Sequence, residues 1–378
     1  MKYNLADICE YAKGKVDVAI LDDETYISTE NMMPNKGGIT SASSLPTIAQ
    51  TQVFLAGDVL VSNIRPYFKK IWFAEFDGGC SNDVLVFRAK DGVSKRFLYY
   101  VLSDDTFFDY SMATSKGTKM PRGDKAAIMK YEVPDFTYEE QEKIAGILEA
   151  LDRKIQLNTE INENLLQQAQ SIFAQEFLSL NGIPDGWQES SLLGIADYLN
   201  GLAMQKYRPK DDEQGLPVLK IKELRQGSCD SNSELCSPSI KPEYIVHDGD
   251  VIFSWSGSLL VDLWCGGTCG LNQHLFKVTS STYDKWFYYA WTNHHLQKFA
   301  AIAADMATTM GHIKREELAK AKVLIPSQSD YDRIGGLLAP LYDLVIGNRI
   351  ENRKLAFLRD ELLPQLMSGQ LDVSEVSL

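Results

Sequence analysis

Two stretches of the chain place apolar residues at alternating spacings of three and four, which is the seam pattern of paired helices. The first seam consists of Ile144, Leu148, Leu151, Ile155, Leu165, Ala169 and Ile172. The second consists of Ile334, Leu338, Leu341, Val345 and Leu355. We predict a long helix over each stretch, and the first could span roughly 60 Å if it were helical from 138 to 181.

Each seam is interrupted twice by asparagine, at Asn158 and Asn162 in the first helix and at Asn348 and Asn352 in the second. A polar residue in a seam costs stability, but it fixes the register because it must meet a hydrogen-bonding partner. We therefore expect an antiparallel coiled coil in one register, with a pseudo-twofold relation between the two halves of the chain. Pro340 lacks a backbone N–H and is expected to kink or break the second helix.

The two helices are part of a repeat that runs through the whole chain. Its matched segments include GDVLVS at 57–62 with GDVIFS at 249–254, SNDVLVF at 81–87 with LNQHLFK at 271–277, and GTKMPR at 117–122 with ATTMGH at 307–312. The partners of each pair lie roughly 190 residues apart, as expected of an internal duplication. The chain is predicted to be built as globule, helix, globule, helix.

The repeat predicts an α+β protein with two copies of a mixed α/β domain. The predicted segments are a first globule at 1–137, a helical spacer at 138–180, a second globule at 181–329 and a C-terminal helical spacer at 330–378. Each Gly-Asp pair precedes a β-branched run, which is typical of a turn that leads into a strand. The aromatic-rich stretches at 97–112 and 285–303 carry apolar residues at helical spacing.

Composition is that of an ordinary globular protein. Hydrophobic residues make up 44% and charged residues 24% of the 378 positions. No apolar run approaches the roughly 18 residues of a membrane span, and no signal-peptide core is recognisable. The six cysteines show no disulfide-dense pattern, so we expect reduced thiols and a cytoplasmic location.

The net charge of −13 argues at first sight against a nucleic-acid partner. The two helical spacers are more acidic for their length than the globules, however, which are close to neutral. A near-neutral domain can still present a basic face, because the local potential steers a polyanion. Net charge therefore does not exclude DNA binding.

Motifs of catalysis are missing from the sequence. It contains no GxxxxGK[ST] phosphate loop, no GxGxxG after a strand, no HExxH, no GxSxG and no Asn-Pro-Pro-aromatic motif of adenine methyltransferases. The cysteines and histidines of the second globule have spacings that fit no strong zinc pattern. We predict neither catalytic residues nor a metal site.

Basic runs with neighbouring aromatic residues are the strongest functional signal. SNIRPYFKK at 62–70 and KGTKMPRGDKAAIMK at 116–130 lie in the first globule, and KYRPK at 206–210 and KIKELR at 220–225 lie in the second. Cations can hold phosphates while aromatic rings stack or support a loop. Any one run is more often a solvated surface than a DNA contact. The framework repeats while these residues differ, as expected if each globule recognises a different sequence.

The chain resembles the specificity (S) subunit of type I restriction-modification enzymes over essentially its whole length. The helical motifs PDFTYEEQEKIAGILEALDRKIQLNTEINENL and RIENRKLAFLRDELLPQLMSGQL carry the resemblance. GTKMPR, ATTMGHIKREEL and FSWSGSLLVDLWCGG with LNQHLF are similar to segments of the family's target-recognition domains.

The resemblance implies two target-recognition domains, each binding half of a split double-stranded DNA target, held by two antiparallel helices. Methyltransferase (M) subunits would dock on the helices and bring S-adenosylmethionine, while restriction (R) subunits would bring ATP- and Mg-dependent cleavage. The chain itself would be a DNA-binding subunit without catalysis or a cofactor of its own. Base-contacting positions vary within such a family, so none is transferred from it.

Loop position and charge select the candidate DNA-binding residues. For the first half-site they are Arg65, Lys69, Lys70, Lys116, Lys119 and Arg122. For the second they are Lys206, Arg208, Lys220, Gln273, His274 and Lys314. Two other classes of function stay open: a two-lobed protein–protein scaffold without DNA recognition, and an enzyme whose site carries no recognisable motif.

Overall fold

The computed structural model describes residues 2–305, 313–374 and 376. The chain divides into two compact units, of which unit 1 comprises Met1–Arg153 with Leu355–Leu378 and unit 2 comprises Lys154–Lys354. Each unit thus contains one globule and a part of both long helices. The four segment boundaries expected from the sequence stay a prediction, because the units divide the helices themselves.

Unit 1 is built from short strands and helices. Its strands are β1 (Lys2–Asn4), β2 (Cys9–Tyr11), β3 (Lys15–Asp17), β4 (Tyr26–Ile27), β5 (Gln50–Phe54), β6 (Val59–Ser62), β7 (Ile71–Phe73), β8 (Gly78–Cys80), β9 (Val84–Ala89) and β10 (Glu132–Pro134). Its short helices are α1 (Leu5–Ile8), α2 (Lys95–Ser103), α3 (Asp105–Ala113) and α4 (Lys125–Ile128).

Two four-stranded sheets organise unit 1. One has the order β2-β9-β6-β7 and is antiparallel throughout. The other has the order β3-β5-β8-β4, in which β4 and β8 run parallel. Strands β1 and β10 form a separate antiparallel pair. The aromatic stretch at 97–112 is helical as predicted, but it is divided into α2 and α3 because Asp104 is extended and caps α3 through the Thr106 amide.

A long helix, α5 (Tyr138–Phe173), connects the globule of unit 1 to unit 2 along the chain. The strands of unit 2 are β11 (Gln188–Ser191), β12 (Asp197–Asn200), β13 (Leu216–Leu219), β14 (Leu235–Cys236), β15 (Ile245–Val246), β16 (Val251–Ser254), β17 (Leu260–Leu263), β18 (Cys269–Leu271), β19 (Leu275–Thr279) and β20 (Lys322–Ile325). Its short helices are α6 (Leu192–Ile195), α7 (Ile221–Gln226), α8 (Lys285–His294), α9 (Leu296–Asp305) and α10 (Arg315–Lys320), and the last helix is α11 (Gln328–Met367).

Unit 2 repeats the sheets of unit 1. The order β12-β19-β16-β17 matches β2-β9-β6-β7, and β11 pairs with β20 as β1 does with β10. In the second sheet, β13 and β18 run parallel as β4 and β8 do. The two sheets differ at an edge, because β3 joins β5 in unit 1 whereas β14 joins β13 in unit 2. The predicted α+β class and the internal repeat are confirmed.

The repeated Gly-Asp pair forms the same turn in both units. Gly57 and Gly249 have positive φ values of 92° and 86°, which glycine adopts without steric cost. Asp58 accepts a hydrogen bond from the Leu55 amide at 2.8 Å, and Asp250 accepts one from the His247 amide at 2.8 Å. Each aspartate also holds a cation of the neighbouring strand: Arg88 for Asp58, Lys277 for Asp250. These contacts therefore fix the turn that leads into β6 in unit 1 and the turn that leads into β16 in unit 2.

Of the kink or break expected at Pro340, the break does not occur. The α-helix α11 runs from Gln328 to Met367 without interruption through Pro340. The cost of a proline inside a helix is about 3 kcal/mol. Leu338 and Tyr342 are buried on either side of the proline and pack in the core of unit 2, so we attribute the continuity of the helix to this packing.

Within unit 2 the two long helices pair antiparallel through their asparagines. The Asn158 amide donates to Asn352 Oδ1 at 2.8 Å, and the Asn348 amide donates to Asn162 Oδ1 at 2.9 Å. Asn158 and Asn162 are buried. The repeat matches Asn158 with Asn348 and Asn162 with Asn352, but the hydrogen bonds join Asn158 to Asn352 and Asn162 to Asn348. The partners are exchanged because the two helices run antiparallel.

The two helices also contact each other within unit 1. Arg359 of α11 donates to Asp152 of α5 at 2.7 Å, and the Tyr100 hydroxyl donates to the other oxygen of Asp152 at 2.8 Å. The Lys143 ammonium donates to the Ser374 carbonyl at 2.9 Å. The C-terminal segment thereby packs on the core of unit 1, where Val373 is buried. Among the described helices, none is long and apolar enough to cross a membrane.

Candidate nucleic-acid interface

Four backbone segments of unit 1 meet where the strands of both sheets end. We call residues 28–30, 62–65, 81–83 and 121–123 the first junction. The Ser81 amide donates to the Ile27 carbonyl at 2.9 Å, the Asn63 amide to the Asp83 carbonyl at 2.8 Å, and the Gly123 amide to the Asn63 carbonyl at 3.2 Å. These bonds hold the loops that follow β4, β6 and β8 against one another.

Unit 2 contains the same arrangement, which we call the second junction. Its segments are residues 220–222, 254–257, 272–274 and 313–314. The Asn272 amide donates to the Leu219 carbonyl at 3.2 Å, and the Ile313 amide donates to the Trp255 carbonyl at 2.9 Å. The match to unit 1 extends to side chains, because the Ser62 hydroxyl donates to the carbonyl two residues later at 3.1 Å and the Ser254 hydroxyl does so at 3.2 Å.

The structure brings several predicted residues of the first half-site to the first junction. Arg122 forms an ion pair with Asp83 at 3.1 Å, and the Lys70 ammonium donates to the Thr29 carbonyl at 2.6 Å. Burial lowers the pKa of Lys70 from its ordinary value. Arg65 lies in the junction itself and lines a cavity of about 570 Å³ beside it. These three positively charged side chains therefore lie together where the loops converge.

Residues 116 to 122 form a hairpin-like loop next to the junction. The Lys116 amide donates to the Arg122 carbonyl at 2.9 Å, and the Arg122 amide donates back at 3.0 Å. Lys119 lies in the loop that these bonds close and is exposed to solvent. The Lys116 side chain is paired with Asp124 at 2.6 Å. Lys119 has no hydrogen-bond or ion-pair partner among the described residues, so its charge is available to a ligand.

Lys69 lies beside the junction and is held by an acid. Its ammonium pairs with Asp105 at 2.7 Å, and Lys36 pairs with the same carboxylate at 2.9 Å. Burial acts to raise the pKa of Asp105, but the hydrogen bonds of the two lysines keep it below its ordinary value. The three charges leave one net positive charge at this place.

In unit 2 the structure brings Lys220, Gln273, His274 and Lys314 to the second junction. The Ser256 hydroxyl lies 3.1 Å from His274 Nδ1, and the Gln273 amide donates to the Leu202 carbonyl at 2.8 Å. The first bond connects the turn after β18 to the loop after β16, and the second, from the backbone amide of Gln273, connects it to the segment after β12.

Arg208 and Lys220 share Glu234 as their acid, with ion pairs at 3.2 and 2.5 Å. The two hydrogen-bonding lysine and arginine side chains hold the pKa of Glu234 below its ordinary value. Lys206 lies in a 3-10 turn at 204–206, and no side-chain contact among the described residues connects it to the junction. The structure therefore groups most, but not all, of the predicted cations of the second half-site.

The structural match also identifies junction residues that the sequence analysis passed over. Asn82 is the counterpart of Gln273, because it occupies the middle of the turn after β8 as Gln273 does after β18. Ser28 is the counterpart of Lys220, since each directly follows the parallel strand. The aligned segments SNDVLVF and LNQHLFK set Asn82 against Asn272 instead, so the structure corrects that alignment by one residue. The selection of candidates by charge excluded both polar residues.

No group of histidine, cysteine, aspartate and glutamate side chains suited to a metal ion is found among the described residues. The six cysteines are unpaired. The segment ATTMGH at 307–312, which aligns with GTKMPR, lies outside the described residues, so the repeat cannot be followed there in the structure.

Comparison with known proteins decides the family. The sequence profile of the type I restriction modification DNA specificity domain matches residues 1–167 and again residues 184–355. The chain belongs to the type I restriction-modification DNA specificity family. The resemblance expected from the helical and loop motifs is confirmed. The chain is accordingly a DNA-recognition subunit for a bipartite target and a non-catalytic component of a restriction-modification system.

Relatives match along most of the chain. The specificity subunit of the type I restriction enzyme MjaIX of Methanocaldococcus jannaschii is 25% identical over 76% of this chain and 71% of its own length. The specificity subunit of the type I restriction enzyme HindI of Haemophilus influenzae is 19% identical over 98% of this chain and 99% of its own length. The crystal structure of a type I S subunit from M. genitalium has the same fold, with a TM-score of 0.58 at 15% identity over 97% of this chain and 96% of that chain.

Proposed function

We propose that the first and second junctions each contact one half of a bipartite double-stranded DNA target. The observation that carries this assignment is the pair of matched backbone frameworks with unlike side chains. Ser28, Asn82 and Arg65 in the first junction stand where Lys220, Gln273 and Gly257 stand in the second. Different donors and acceptors on one framework would recognise different base edges, because base contacts carry sequence information.

The cations around the junctions would position the duplex. Phosphate contacts set the register and orientation of a protein on DNA. Arg122, Lys116 and Lys69 are paired with acids in this structure, so a phosphate would have to compete with a carboxylate for each of them. Lys119 has no acid partner among the described residues, so we expect it to contribute most to the affinity that comes from phosphate contacts.

The paired helices would dock methyltransferase subunits. Within unit 2 they expose apolar side chains at helical spacing, with Leu157 and Ile161 on α5 and Leu337 and Leu344 on α11, each more than 40% exposed. Apolar side chains grouped on a helix surface favour a protein partner. The M subunits would supply S-adenosylmethionine, and R subunits would supply the ATP and Mg chemistry where the system cleaves. We place the assembly in the cytoplasm.

A salt titration tests the assignment of the first junction. Replacing Lys119 and Arg122 together by alanine is expected to weaken DNA binding and to reduce the slope of log K against log salt by about one unit for each lost phosphate contact. Binding is measured by fluorescence anisotropy with the chain bound to its methyltransferase subunits.

The matched control replaces Lys13 and Lys15, which are exposed in unit 1 outside the first junction. The control removes the same formal charge and should leave the slope unchanged. An unaltered slope in the Lys119 and Arg122 variant would refute their contact with phosphates. Absence of DNA binding by the wild-type complex would instead contradict the proposed contact of both junctions with DNA.

A further inference from the structure

Arg65 occupies a backbone position at which unit 2 has a glycine. It follows Ser62 by three residues, as Gly257 follows Ser254, and the two serine hydroxyls make equivalent hydrogen bonds. Arg65 has φ 51° and Gly257 has φ 66°, so both lie in the left-handed region. Glycine adopts this conformation without steric cost, whereas arginine is strained in it. Both units have a left-handed backbone at this position, and in unit 1 the residue there is an arginine, for which this conformation costs free energy.

The Arg65 side chain also lacks a partner in the part of the chain that the structure describes. Its Nε is buried without a hydrogen bond, and its guanidinium forms no ion pair among the described residues. By contrast, Arg122 is paired with Asp83 and Arg88 with Asp58 in the same unit. An unpaired buried donor carries a desolvation cost, so the side chain gains if it turns toward a ligand that accepts from it. Strain and an unsatisfied charge at one residue are the pattern of a site kept for function.

The side chain lies beside the cavity of about 570 Å³ at the first junction. Ser28, Ser62 and Ser81 line the same cavity, and Glu30 and Asp83 add acceptors to it. The backbone holds Arg65 in place from both sides, because its amide donates to the Pro121 carbonyl at 2.8 Å and its carbonyl accepts from the Phe68 amide at 2.9 Å. The guanidinium thus has no ion-pair partner among the described residues, while two hydrogen bonds fix the backbone that carries it.

We propose that Arg65 determines specificity for a guanine in the first half-site. The proposal rests on the proposed function of the first junction. An arginine guanidinium donates two parallel hydrogen bonds to O6 and N7 of guanine in the major groove, and no other base offers this pair of acceptors. Such a contact would give the two terminal nitrogens, which form no ion pair among the described residues, their acceptors. Gly257 lacks a side chain for it, so the second junction reads its half-site by other residues.

Arg65→Gly tests the proposal without loss of the fold. Binding is measured with the chain in complex with its methyltransferase subunits, on a panel of duplexes that each change one base pair of the mapped target. The wild type is expected to discriminate roughly 10- to 100-fold against replacement of one guanine in one half-site. Arg65→Gly should reduce that discrimination to less than about twofold and leave the other positions unchanged.

Thermal unfolding separates recognition from stability. Arg65→Gly should not lower the melting temperature, because glycine accepts the left-handed backbone, as Gly257 does in unit 2. Arg65→Ala keeps the strain and should lose the same discrimination while melting below Arg65→Gly. A variant that recognises every duplex as the wild type does would overturn the proposal.

Two further outcomes are distinguishable. A uniform loss of affinity over the whole panel with a smaller salt slope would make Arg65 a phosphate contact and would also overturn the proposal. A wild-type complex that binds all duplexes equally would contradict the proposed function itself, whatever the variants do.

Discussion

Replacing Asp58 by alanine is expected to lower the free energy of unfolding of unit 1 by roughly 3 kcal/mol. Its carboxylate is 3% exposed and accepts from Arg88 Nε at 2.8 Å, from the second Arg88 nitrogen at 2.6 Å and from the Leu55 amide at 2.8 Å. The alanine would leave one charge and one amide without a partner. The loss stays at the lower end for a broken buried pair, because Arg88 is partly exposed and can regain water.

Two controls separate the charge from the turn. Asp58→Asn keeps the size and an acceptor for the Leu55 amide, so its cost should be about 1–2 kcal/mol. Asp77→Ala removes an exposed carboxylate that accepts from the Ala56 amide at 2.8 Å in the same turn, and should cost no more than about 0.5 kcal/mol.

The measurement is denaturant unfolding followed by 19F NMR of fluorotryptophan-labelled protein. Trp72 is the single tryptophan in the sequence of unit 1, so its resonance reports on that unit. Equal midpoints for Asp58→Ala and Asp77→Ala would show that the repeated Gly-Asp turn does not depend on the buried ion pair.

The asparagine pairs give the second large effect. Asn158→Leu alone should destabilise unit 2 by roughly 2 kcal/mol, because it removes a buried amide that donates to both Asn352 and Glu351. Asn158→Leu with Asn352→Leu removes both partners and should recover most of that loss. Asn158→Leu with Asn348→Leu removes one member of each pair, so two groups are orphaned and the two costs should add.

Chemical denaturation of the three variants, together with Asn352→Leu alone, gives a double-mutant cycle with an expected coupling of about 1–2 kcal/mol. The matched apolar pair should still loosen the register, since leucines pack at neighbouring positions equally well. A lower yield of complex on co-purification with methyltransferase subunits would report this. If both double variants were equally stable, the hydrogen-bonded pairing would not be what fixes the register.

The repeat made the helices and the Gly-Asp turns predictable, because both depend on local spacing. Positions 57 and 249 require a left-handed backbone, and a glycine followed by an acid before a β-branched run indicates such a turn. The asparagines could likewise be expected to pair between the helices. Their crosswise partners follow only from the direction of pairing.

The electrostatic state of the candidate site could not be predicted from charge along the chain. Lys69 is neutralised by Asp105 and Arg122 by Asp83, residues distant in sequence and placed beside them by the fold. In the sequence, nothing distinguishes Arg65 from the other cations of SNIRPYFKK. What distinguishes it is a backbone angle and the absence of an acid among the described residues around it, which only the folded chain defines.

Mapping adenine methylation across the host genome, with and without this gene, tests the central claim most directly. The account predicts that deletion abolishes methylation at one bipartite motif, and that a plasmid copy of the wild-type gene restores it. Methylation that is the same at every motif in both strains would contradict the claim that this chain directs a methyltransferase to a split DNA target.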